Sequence, residues 1–232
     1  MGAQQALLPS PHTGRAHSSL DQPRAAAEFV GMSSIQSICV YCGSSPGRDP
    51  SHLQAAEILG TAIGKAGIRL VYGGGTRGIM GAVSDAVIKA GGKVTGVIPR
   101  FLIDMEATES ELKRLDELIV TDDMHQRKHI MFERSDAFVA LPGGIGTLEE
   151  LIEIMTWSQL GRHKKPIAIA NIGGFWDPLS SLLDHMRDEG YIHTGHKVLP
   201  LVIDRAEDIV PKLMLKAPAG NDDGEAAIIQ RM

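Results

Sequence analysis

The stretch Pro142-Gly143-Gly144-Ile145-Gly146-Thr147-Leu148-Glu149-Glu150 concentrates three glycines, a hydroxyl and two carboxylates in nine residues. Placed just before a helix, glycines let a ligand reach the main chain, and the free N–H groups of the helix start suit an anion such as a phosphate. Thr147 and Glu150 also have the spacing of a capping box, in which the carboxylate merely satisfies the cap backbone. That alternative accounts for Glu150 but not for the glycines. A phosphate bound here is repelled by Glu149 and Glu150, so the site requires a cation. Arg127 and Lys128, in Met124-His125-Gln126-Arg127-Lys128-His129, can supply it, against the alternative that they form a solvated helix face. His125 and His129 stand four apart, yet no further Cys or His has ligand spacing, and no metal is expected.

Two more loops carry small residues. Cys42-Gly43-Ser44-Ser45-Pro46-Gly47 offers two hydroxyls among glycines, able to donate to a ligand or simply to stabilise a turn. Gly73-Gly74-Gly75-Thr76-Arg77-Gly78 satisfies G-x-G-x-x-G between a strand and a helix, the setting of a dinucleotide fingerprint. The acidic ribose ligand expected about 20 residues later is missing, because Lys93-Val94-Thr95-Gly96-Val97-Ile98-Pro99 stands there. Arg100 is a thin substitute for it. The loop is better suited to a phosphate or ribose without nicotinamide, and no cofactor is expected.

These loops need elements to hold them. From Ile35 onward, short β-branched runs alternate with amphipathic segments, the pattern of βα units feeding a mostly parallel sheet. Strands are expected at 36–41, 68–72, 94–98, 117–121, 136–141, 166–170 and 200–203, and helices near 51–66, 79–90, 124–134, 147–159, 177–188 and 206–214. Asp49-Pro50 and Asp177-Pro178 each place a capping carboxylate before a proline suited to the first helical turn. The fold class is α/β: one Rossmann-like, doubly wound, mostly parallel sheet of about seven strands with helices on both faces. Ligands of such sheets bind beyond the carboxyl ends of the strands, where all three loops fall.

With 232 residues and 43% hydrophobic composition, the chain can bury one sizeable core. The expected organisation is a flexible tail at 1–34, a nucleotide-binding domain at 35–215 and a second tail at 216–232. A net charge of -5 provides no global positive field for nucleic acid. No apolar run approaches the roughly 20 residues that span a bilayer, and residues 1–32 lack the apolar core of a secretory signal. A cytoplasmic protein is expected, in contact with neither nucleic acid nor membrane. Cys39 and Cys42 form C-x-x-C inside an apolar run, where strand geometry points them to opposite faces. They are expected to be reduced, with at least one in the core.

The glycine loop at 73–78, Arg127-Lys128 and PGGxGTxxE at 142–150 together resemble the LONELY GUY (LOG) family, the cytokinin riboside 5′-monophosphate phosphoribohydrolases, related to bacterial proteins long labelled lysine decarboxylases. The resemblance covers roughly residues 35 to 215. It implies a Rossmann-like homodimer that splits adenosine-type 5′-monophosphates into free base and ribose 5-phosphate. By resemblance, Arg127 and Glu150 match the catalytic pair, and Lys128 and Glu109 match substrate contacts. Gly144 to Thr147 match the phosphate loop, Gly73, Gly74 and Gly75 the second glycine loop, and Ser44 and Ser45 the serine loop. Met124, Gly143, Gly146 and Glu149 complete the expected substrate-binding set.

The chemistry of the residues agrees. Breaking a ribosyl–base bond passes through an oxocarbenium-like state and needs a carboxylate near the anomeric carbon, for which Glu150 is the candidate. A helix N-terminus is expected to keep that carboxylate ionised, fit to stabilise a cation or activate water. Arg127, permanently protonated, is expected to position substrate and balance charge at the leaving base. Two rivals stand beside this reading. One is a carrier that binds a nucleotide-like cofactor without cleaving it. The other is pyridoxal phosphate-dependent lysine decarboxylation, which needs a Schiff-base lysine, with Lys128 as the candidate. The apolar spread Leu148, Leu151, Ile152, Met155 and Trp157 on the helix from Thr147 can serve both the sheet and a partner subunit.

Overall fold

The computed structural model describes residues 1–2, 35–192 and 200–217. Of the expected tails at 1–34 and 216–232, only Met1, Gly2, Lys216 and Ala217 fall within the described residues. By its internal contacts the chain divides into two units, Met1–Met32 and Ser33–Met232, and the architecture that follows is that of the second.

Among the described residues seven strands form: β1 Ser37–Tyr41, β2 Arg69–Tyr72, β3 Val94–Pro99, β4 Glu117–Thr121, β5 Ala137–Ala140, β6 Ile167–Ala170 and β7 Leu201–Ile203. They pair in parallel, in the order β4-β3-β2-β1-β5-β6-β7. The helices are α1 Pro50–Lys65, α2 Gly78–Lys89, α3 Ile103–Glu106, α4 Glu109–Leu112, α5 Met124–Glu133, α6 Ile145–Gln159, α7 Asp177–Asp188 and α8 Ile209–Lys216. Every expected strand and helix is present, and the short pair α3 and α4 is added between β3 and β4.

β1, β3, β5 and β6 are buried along their whole length, as strands covered on both faces must be. Alternation along β1 divides the core in two. Ile38 and Val40 pack with Leu59 of α1, Val83 of α2 and Leu213 of α8, whereas Cys39 and Tyr41 pack with Met131 of α5, Leu151 of α6 and Leu179 of α7. Cys39 and Cys42 are accordingly free, buried thiols on opposite faces, and burial pushes both thiols up from their ordinary range. The edge strand β4 alternates between half-buried and exposed residues until it reaches Thr121.

Asp49 caps α1 as its sequence suggests, accepting from the Ser51 N–H at 2.9 Å. Asp177 does not cap α7. It is the first helical residue, behind Trp176, and its carboxylate accepts from the Asn171 side-chain amide at 2.8 Å. Asn171 follows β6 directly and also accepts from the Trp176 N–H at 2.8 Å, so this amide joins strand to helix and draws the aspartate away from the cap. Because β1 lies between β2 and β5, the chain leaves it in both directions, and the loops after β1 and β5 diverge at a topological switch point. Among the described residues, no helix is long and apolar enough to cross a membrane.

Candidate active site

The three small-residue loops meet at this switch point. Gly43 donates its N–H to the Pro142 carbonyl at 3.2 Å, bringing the loop after β1 onto the loop after β5. Gly78 packs the third loop on the first: its φ is +57°, and a Cβ there would lie 2.5 Å from the Ser44 carbonyl group. Only glycine meets both conditions. Between the loops opens a cleft of about 200 Å³, with Ser44, Gly73, Gly144, Gly146 and Thr147 in its wall beside Arg127 and Glu150.

α6 begins with Gly144 as its cap residue, and no side chain closes its first turn. The leading amides of a helix have no intrahelical acceptor, so those of Ile145, Gly146 and Thr147 are available to a ligand. A Cβ on Gly144 or Gly146 would meet no atom within 4 Å, and neither residue has a positive φ. Packing does not require glycine at either place; close approach of a ligand to the main chain does. Gly143 is different, since a Cβ there would strike the Thr147 hydroxyl at 2.1 Å. Thr147 thus sits inside the helix against Gly143, and the capping box is not formed.

Glu150 is only 8% exposed in the cleft wall. Burial raises its carboxyl to about 7; the Arg127 charge opposes the rise and Glu149 adds to it. The expected full ionisation therefore does not hold. Glu150 is the sixth residue of α6, and the helix dipole acts mainly within the first turn, so desolvation outweighs it.

Arg127, on α5, is 6% exposed. Its Nε donates to the Val97 carbonyl and its Nη2 to the Gly73 carbonyl, both at 3.2 Å, and Nη1 reaches Met124 Sδ at 3.7 Å. A Cβ on Gly73 would lie 2.0 Å from Nη2, so the glycine makes room for the guanidinium. These contacts orient the charge without neutralising it, because they are carbonyls and a thioether rather than a carboxylate. The buried cation suits an anionic ligand.

Lys128 does not line the cleft. It is buried against Glu149 and Glu153, the latter at 3.1 Å. Burial works to lower its pKa, but the hydrogen bonds and charges of the two glutamates prevail and raise it. Lys128 and Glu149 clip α5 to α6 one residue away from Arg127 and Glu150. Glu109 is exposed in a 2.8 Å ion pair with Lys113 and stands outside the cleft. Glu106, three residues earlier at the end of α3, lines the cleft instead, and its Oε2 is buried without a hydrogen-bond partner. Ser45, Gly74 and Gly75 do not line the cleft: Ser45 is exposed, Gly74 has φ +75° and lies against Ile98, and a Cβ on Gly75 would strike Met80 Cε at 2.5 Å. Met80, Met124 and Met131 furnish the apolar side of the cleft. Apart from Met124, which precedes Arg127 by one helical turn, these linings carry no signal in sequence.

A family model described as "Possible lysine decarboxylase" matches residues 80–213. Over 191 residues, 82% of this chain and 87% of the relative, the sequence is 44% identical to the cytokinin riboside 5′-monophosphate phosphoribohydrolase LOG4 of Arabidopsis thaliana. The chain belongs to the LOG family. A second LOG relative, the cytokinin riboside 5′-monophosphate phosphoribohydrolase LOG of Oryza sativa subsp. japonica, is 46% identical over 181 residues, 78% of this chain and 74% of its own. The solved Moco carrier protein of Chlamydomonas reinhardtii superposes with a TM-score of 0.57 at 24% identity, covering 78% of this chain and 98% of the carrier, and shares the LOG fold.

Proposed function

We propose that this chain hydrolyses the N-glycosidic bond of a nucleoside 5′-monophosphate, a cytokinin riboside 5′-monophosphate or AMP, to free base and ribose 5-phosphate. The Arabidopsis and rice relatives are named for that activity on the cytokinin nucleotide. One observation carries the reading here: Arg127, Glu150 and the uncapped, glycine-opened start of α6 share a single cleft.

The 5′-phosphate rests on the amides that follow Gly144, and this anchorage aligns the sugar so that C1′ faces Glu150. As the C1′–N bond breaks, its electron pair leaves with the base and positive charge builds at C1′, where the Glu150 carboxylate stabilises it. Water then bonds to C1′ and gives its proton to Glu150, while the departing base takes one from solvent. A carboxyl poised near pH 7 exchanges that proton at little cost. Arg127, fixed by the Val97 and Gly73 carbonyls, balances the charge on the leaving base. Glu106 offers its unpartnered oxygen to a ribose hydroxyl. The methionines give the base an adaptable apolar wall.

The acting unit is residues 35–215 in a cytoplasmic homodimer. Exposed Ile145 and Ile152, seven apart on α6, support a partner face, and two free thiols fit a reducing compartment. Lysine decarboxylation is disfavoured by Lys128, since a Schiff-base lysine must lose its proton and two glutamates hold this one charged. The test is adenine or prenyladenine release, followed by chromatography, from AMP and N6-prenylated AMP. Glu150→Gln and Arg127→Ala should each lose most turnover. Near-normal rates in both variants overturn the assignment, and nucleotide bound but never cleaved favours the carrier.

A further inference from the structure

Glu106 sits on a weak support. α3 and α4 have four residues each, too few to be stable helices by themselves, and they rest on a small cluster of Ile98, Ala107 and Leu112. What ties the segment to the rest of the cleft is Thr76 in the glycine loop after β2. The Thr76 N–H donates to the Glu106 carbonyl at 2.9 Å, and the Thr108 N–H donates to Thr76 Oγ1 at 3.2 Å. Thr108 Oγ1 in turn donates to the Glu111 carboxylate. Hydrogen bonds from Thr108 and Thr76 hold the Glu111 carboxyl below its usual range, so the group stays an acceptor at neutral pH.

We infer that Thr76 is a positioning residue whose hydroxyl, accepting from the Thr108 N–H, holds the segment that carries Glu106 in register with the glycine loop and so keeps the Glu106 carboxylate over the sugar. This rests on the proposed hydrolysis. The same glycine loop that supplies the Gly73 carbonyl to Arg127 thereby sets Glu106, so the loop after β2 aligns both sides of the cleft.

The test is a double-mutant cycle on adenine release from AMP by wild type, Thr76→Val, Glu106→Gln and the double variant. Valine keeps the branching and removes only the hydroxyl. Thr76→Val should lower kcat/KM about tenfold, the order expected when a group at the sugar shifts by a fraction of an ångström. With Glu106 already replaced, the further loss should be less than about twofold, because coupled sites are not additive. Thr76→Ser should restore the rate. Equal losses in both backgrounds, or undiminished turnover of Thr76→Val, overturn the inference. Amide hydrogen exchange across 103–112 gives a readout independent of turnover and should quicken in Thr76→Val. If wild type cleaves nothing but that exchange quickens, the hydrolase reading fails and the latch stands; unchanged exchange removes the latch in either case.

Discussion

Two side chains, Arg127 and Glu150, are buried where charge is costly, and each makes a different prediction. The first concerns Gly73, whose missing side chain is the space that the Arg127 guanidinium occupies. Gly73→Ala should lower kcat/KM by about a hundredfold or more, since the guanidinium must move by roughly an ångström. Gly73 has no positive φ, so the backbone tolerates alanine and the melting temperature should change little. A large fall in stability with normal activity in the folded fraction would count against this account of Arg127. The second concerns pH. Glu150 is held at about 7 against an ordinary 4.5, so the folded state binds its proton more tightly than the unfolded chain does. Stability from this group is full below about pH 4.5, declines as pH rises towards 7, and stays low above it, a difference on the order of 3 kcal/mol. Glu150→Gln should therefore melt higher than wild type at pH 8 and about equally at pH 4.5. In wild type, kcat/KM should climb through about pH 7 as the base ionises, and that limb should vanish in the variant.

At the scale of elements, α6 separates what the fold needs from what a ligand needs. Gly146 is its second residue and would face open cleft if given a side chain. Gly146→Ala should leave the melting temperature unchanged or raise it by about 2 °C, because alanine is the better helix former. The KM for AMP should meanwhile rise about tenfold. An unchanged KM would remove the phosphate from this turn. The seven strands are legible in sequence because central parallel strands are continuous apolar runs, as Ile38 to Tyr41 and Ala137 to Ala140 show. α3 and α4 are not legible: four-residue helices leave no periodicity, and the segment even exposes Phe101 and Met105. The uncertainty passes to the site. Among Glu106, Glu109 and Glu111, nothing in spacing says which carboxylate turns inward, and resemblance pointed to Glu109 while the chain's own folding turns Glu106 into the cleft. Arg127 and Glu150 are each legible near the start of a helix that follows a strand, and the family resemblance is what pairs them, whereas the proton affinity of Glu150 depends on burial that no local pattern encodes.

At the scale of the molecule, the sheet order places β1 and β5 side by side, and the divergence of their loops makes the cleft. The exposed stripe on α6 begins at the mouth of that cleft with Ile145, so a partner packed there would stiffen the same turn that receives the phosphate. In the proposed homodimer, Ile152→Glu should leave the protomer folded and weaken self-association by about a hundredfold or more, since a two-fold contact there buries the new charge twice. Light scattering across a dilution series reads the change, and an unaltered mass would place the interface elsewhere. The most direct measurement is a crystal structure of Glu150→Gln holding intact AMP. The account predicts the 5′-phosphate on the amides after Gly144 and the residue-150 side chain about 3.5 Å from C1′, with the Arg127 guanidinium beside the base. Nucleotide seated with its sugar remote from residue 150, or its phosphate away from the start of α6, would contradict it.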